Sequence, residues 1–99
     1  MKNLLIAAAL AMSLTAQAEE KQDICGIVNE LAGSIMSARQ RGVDMAQAMK
    51  VAGENAEVDF IKQIIIAAYE KPRYSVSENQ QAAVTDFKNS IYLICVKSQ

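Results

Sequence analysis

Apolar residues return every three or four positions through four stretches of the chain, the spacing that gathers them on one face of an α-helix. In the first stretch Ile24, Ile27, Val28, Leu31, Ile35 and Met36 share a face. Arg39 and Arg41 follow in its last turn, where positive charge suits the helix dipole, and Gly42 is placed to end it. Asp44 then precedes "MAQAMKVA", in which Met45, Ala48, Met49 and Ala52 take one side and Gly53 closes a short helix. A third helix is predicted from Asn55, with Glu57 and Asp59 in its first turn and Val58, Ile61, Ile64, Ile65 and Ala68 as its stripe. The triplet Ile64-Ile65-Ile66 would also suit a buried strand. The helical spacing outlasts a usual strand, however, and Lys62 and Gln63 interrupt it at helical intervals. Pro72 disfavours helical geometry at Lys71, so this helix should stop there or just before. Ser77 with Gln80, or Ser75 with Glu78, then forms a capping box for a fourth helix from about Glu78 to Val96, with Val84, Phe87, Ile91, Ile94 and Cys95 inward.

The order is long, short, long, long, with connections of a few residues. It predicts an all-α fold, a small antiparallel bundle of three long helices and one short one. No internal repeat or interdomain linker divides it.

Residues 1–18, "MKNLLIAAALAMSLTAQA", read differently. Lys2 precedes an apolar run from Leu4 to Leu14 broken only by Ser13, and Ala16-Gln17-Ala18 has the small-x-small form of a cleavage site before the polar Glu19-Glu20-Lys21. At about 1.5 Å per residue the run is far too short to cross a hydrocarbon core of roughly 30 Å. It is expected to be a secretory signal peptide rather than an uncleaved anchor. Its removal leaves a single helical domain, 19–99, in the periplasm or secreted, with no further attachment to a membrane. Cys25 follows Gln22-Asp23-Ile24, which lack the small side chains of a lipid-attachment site.

A domain of that size hides only about 60–65% of the surface its unfolded chain exposes, so a covalent staple is expected. Cys25 and Cys95 are the only two cysteines and lie 70 positions apart. In an oxidising compartment they have one intramolecular pairing; free thiols or a bond between chains are the competing arrangements. If the first and last helices are antiparallel, the start of one lies beside the end of the other, where the two cysteines sit.

Chemistry is mostly excluded. The chain has no histidine, which removes the usual general base and the commonest metal ligand, and its two cysteines are too far apart in sequence for a clustered thiolate site. No nucleophile elbow, phosphate-binding loop, dinucleotide fingerprint or calcium loop occurs. Glu54, Glu57 and Asp59 are acids near a helix start, which a favourable dipole interaction explains without catalysis. The chain is therefore expected not to be an enzyme and to need no metal, cofactor or small-molecule ligand. Removing residues 1–18 takes away Lys2 and no acid, leaving nine basic against eleven acidic side chains. That balance, without a basic run, argues against nucleic acid as a partner, and no helix has the cationic amphipathic face that membrane surfaces attract.

Protein binding remains. Tyr69, Lys71, Arg73 and Tyr74 lie between the third and fourth helices, and tyrosine and arginine dominate binding hot spots. They are the candidate protein-binding residues; the plainer alternative is helix-end charge with tyrosines over the core edge. A second candidate is "IYLICV" at 91–96, apolar on every side and more than one flank can bury. It is either central in the bundle or covered by a partner, including a second copy.

The layout of Cys25, "IMSARQRG" at 35–42, "AYEKPRYS" at 68–75 and "YLICVK" at 92–97 resembles a set of short exported proteins of Gram-negative bacteria and their phages. That resemblance spans essentially the whole domain and carries no activity. Periplasmic acid-stress chaperones are similar in size, export and single disulfide, but differ in cysteine separation and in their wealth of titratable groups. The expectation is an exported, non-catalytic helical protein that binds another protein as an inhibitor, immunity factor or accessory subunit; the alternative is a periplasmic stress chaperone without a fixed partner.

Overall fold

The computed structural model describes residues 24–53 and 59–99, and every described element is helical. Helix α1 is described over 24–40, α2 runs Met45–Gly53, α3 Asp59–Tyr69 and α4 Ser77–Lys97. The signal peptide and its cleavage site, the Asn55 start, Glu54, Glu57 and Val58 lie outside the described residues.

Helix α1 ends as its sequence requires. The amide of Gly42 donates to the Arg39 carbonyl and that of Val43 to the Ala38 carbonyl, a Schellman closure in which Gly42 takes φ +85°. Any other side chain is strained at that φ, and a Cβ on Gly42 would lie 2.8 Å from a guanidinium nitrogen of Arg73. Gly42→Ala is therefore expected to lower stability by about 1–2 kcal/mol, read as a fall in the urea midpoint without a change of slope.

Four ties set the register. Cys25 and Cys95 are bonded, with S–S 2.05 Å and Cα atoms 5.7 Å apart. One turn further along, Lys88 lies 3.9 Å from Glu30, and its aliphatic stem crosses α1 where Gly33 leaves room. At the far end of α1, Gln40 meets Tyr74 just before α4 begins. Helices α1 and α4 therefore run antiparallel along their length. The Tyr69 hydroxyl donates to the Val43 carbonyl at 2.7 Å, so α3 ends level with the end of α1, and α2 packs on α3. The result is an up-down-up-down bundle closed by a disulfide.

One core joins the helices: Val28, Ala32, Ile35 and Met36 from α1, Ile64, Ile65 and Ala68 from α3, and Phe87 and Ile91 from α4. The periodic stripe on α3 is thus the buried one, with Ile66 outside it as its spacing implies. Among the described residues four stripe members are exposed. Ile24 is 55% exposed, Ile27 64%, Ile94 59% and Met45 38%. Helix α3, of 11 residues, rises about 16 Å, whereas residues 24–40 rise about 25 Å. With their C-terminal ends level, the described residues of α3 do not extend to the first turns of α1, and none of them faces Ile24 or Ile27. The apolar run 91–96 is not central either: only Ile91 is buried, Cys95 is half-buried, and Tyr92, Leu93, Ile94 and Val96 are exposed.

The start of α4 departs from the capping box. Its N-cap is Val76 in extended conformation, with no side-chain cap hydrogen bond. Gln80 is instead drawn back to Tyr74, donating from Nε2 to the Tyr74 carbonyl at 2.7 Å, so neither serine pairs with a downstream acid or amide.

Candidate functional site

The segment 71–74 is not a free loop, because α1 holds it by its last turn. Gln40 is 2% exposed although it stands between two arginines. Its side-chain amide donates to the Pro72 carbonyl at 2.9 Å, and its Oε1 accepts from the Tyr74 amide at 2.9 Å. Its nitrogen also lies 3.4 Å from the Met36 sulfur one turn earlier. Arg39 completes the hold, donating from Nε and Nη2 to the Lys71 carbonyl at 3.2 and 3.1 Å while its guanidinium stacks 5.3 Å from the Tyr69 ring centroid. Arg73 reaches the opposite way, its Nε donating to the Gln40 carbonyl at 3.0 Å and so satisfying a carbonyl that the helix end leaves open. Among the described residues no buried side-chain nitrogen or oxygen lacks a partner.

Tyr69 and Arg73 thus spend their polar groups inside the molecule. Lys71 and Tyr74 do not: their backbones are held while their side chains line a groove of about 430 Å³ between the segment and α4. Met36 and Phe87, both almost fully buried, form its floor. Ala82 and Ala83 supply a low wall on α4, and Asp86 and Ser90 its far rim. The groove is partly apolar and open to solvent, with a cation and a phenol on one edge and a carboxylate on the other.

The four candidates predicted from the sequence are therefore brought to one end of the bundle, two as struts and two as rim. Gln40 was not foreseen, although Ala32, Met36 and Gln40 are spaced four apart on the inward stripe of α1 and that spacing marks position 40 as buried. Among the described residues no group of three histidine, cysteine, aspartate or glutamate side chains is arranged to hold a metal ion, and no helix is long and apolar enough to cross a membrane.

Fold and site together define a small all-helical bundle closed by one disulfide, with a pinned segment bordering a surface groove. No protein-family model matches the chain, and neither a curated protein nor a solved structure does so.

Proposed function

We propose that the protein is an exported, non-catalytic binding module whose partner is another protein, seated in the groove between α4 and residues 71–74. The observation that carries this reading is the pinning of that segment. An edge held to α1 by five hydrogen bonds, four through side chains of α1 and one from the Arg73 guanidinium to the Gln40 carbonyl, does not have to be ordered when a partner arrives, and binding loses less free energy to ordering. The volume falls within the range of a site for one or two side chains, and Tyr74 stands at its mouth. The partner segment that fits has an apolar side chain for the Met36–Phe87 floor, an acidic group towards Lys71 and a basic one towards Asp86. Export is supported by the leader-like residues 1–18 and by a disulfide of the kind that oxidising compartments sustain.

Affinity capture from a periplasmic extract with the oxidised protein as bait tests it. Tyr74→Ala is expected to weaken retention of the captured partner by about 2 kcal/mol, roughly thirtyfold, and Lys71→Glu to weaken it less, both with unchanged thermal midpoints. Arg73→Glu is a poor probe, since it would remove the cap on Gln40. Capture that both variants leave intact refutes the groove. Suppression of aggregation in unrelated clients, unaffected by Tyr74→Ala, would favour the chaperone alternative instead.

A further inference from the structure

The outer side of α4 carries a second pattern, which starts at the far rim of the groove, at Asp86 and Ser90, and runs on past it to Lys97. Asp86, Ser90, Leu93 and Lys97 follow one another at four, three and four residues, so they form a stripe along the helix, and Val96 and Tyr92 extend it on one side. All are exposed, Leu93 at 54% and Val96 at 51%. Asp86 and Lys97 close the stripe with opposite charges, and neither makes an ion pair among the described residues. Ser90 between them is small and turns its hydroxyl back to the Asp86 carbonyl at 3.3 Å, leaving no polar group that must be solvated from outside.

This stripe is complementary to its own reverse. Laid antiparallel against a second α4 with the crossing between residues 91 and 92, Asp86 of each copy falls opposite Lys97 of the other, twice by symmetry. Leu93 then lies beside the two-fold axis, offset about 4.5 Å from its counterpart along the helix direction by the helical rise, and each packs over the other copy's Ser90. Charge order, the small residue and the apolar residue all agree with a single register.

We propose that two copies of this chain associate through the outer face of α4, antiparallel, with Leu93 meeting Leu93 at the axis and reciprocal Asp86–Lys97 pairs at the ends. The half-exposed apolar side chains make a patch on the order of a few hundred Å², against roughly 800 Å² per partner in a standard stable interface. The dimer is accordingly weak and forms with a dissociation constant between about 10 μM and 1 mM.

Sedimentation velocity of the oxidised protein over that concentration range tests the proposal, with the thermal midpoint of each variant as a check on folding. Wild type is expected to shift from monomer to dimer as concentration rises. Asp86→Lys and Lys97→Asp, each of which sets like charges opposite one another twice, should each raise the dissociation constant by about tenfold or more. The combined Asp86→Lys/Lys97→Asp variant should return it to within about threefold of wild type, because the pairs are reformed with their signs exchanged. Leu93→Asp should leave a monomer throughout. A wild type that stays monomeric at every concentration overturns the proposal and leaves this face to a foreign partner or to solvent. Dimerisation indifferent to the single charge changes, or lost in them and not recovered in the double exchange, overturns it equally.

Discussion

Replacing Cys25 and Cys95 together by serine lowers the midpoint of thermal unfolding by about 20 °C, followed by circular dichroism on the oxidised wild type and the variant side by side. Two effects add. The bond closes a 70-residue separation, and in the chain-entropy account a loop of that length removes about 4 kcal/mol of freedom from the unfolded ensemble. A small domain has little more than that in total. The bond also stands where packing is thinnest. Around it Ile24, Ile27, Ile94 and Val96 are exposed, and the neighbouring Glu30–Lys88 pair, with Glu30 largely in solvent, contributes at most about 1 kcal/mol. Reduction therefore releases the last turns of α4 from α1 as well as enlarging the unfolded ensemble. Amide exchange should accelerate first over 92–97, whereas Ile65 and Ala68, at the opposite end of the core, keep their protection longest. An unchanged midpoint in the serine variant would show that burial alone sustains the fold.

The second large effect is expected at Gln40. Gln40→Leu keeps the volume but strands the Pro72 carbonyl and the Tyr74 amide, both partly buried, and should cost about 2–3 kcal/mol, or a fall of about 10–20 °C in the midpoint. Gln40→Glu keeps the acceptor for the Tyr74 amide, loses the donor to Pro72 and places a carboxylate against that carbonyl, so it should be no better. The neighbouring Arg41, exposed and with a side chain that bonds only the Ser37 hydroxyl among the described residues, supplies the contrast: Arg41→Ala should stay within about 0.5 kcal/mol of wild type. Equal midpoints for the variants at 40 and 41 would show that the 71–74 segment holds its shape without α1.

Period alone finds Val28, Ile35, Met36, Ile64, Ile65, Ala68, Phe87 and Ile91, since a residue whose neighbours three and four away are apolar faces whatever lies across from it. The same rule placed Ile24, Ile27, Ile94 and Met45 inward, and there it fails, because burial also needs a partner across the face, and no described residue of α3 reaches Ile24 or Ile27. The disulfide was readable because two cysteines allow one internal pairing and antiparallel end helices bring them together. Gln40 was not, because its partners lie 32 and 34 residues away and a polar residue between two arginines looks like a solvated helix end. The capping serines misled for a related reason: Ser75 and Ser77 both fit a local motif, but the chain enters α4 along a path set by the hold of α1 on Tyr74. For the same cause Arg73 resembled a recognition residue while its guanidinium serves the end of α1.

The wide spacing of the two half-cystines bears on how the molecule is made. Synthesis from the amino end delivers Cys25 first and leaves it with no thiol in its own chain to react with until Cys95 appears. No scrambled isomer can form within one chain, so maturation needs an oxidant and no isomerase. The hazard in that interval is a mixed disulfide with a foreign protein, and it ends when Cys25, 4% exposed in the finished bundle, is bonded to Cys95.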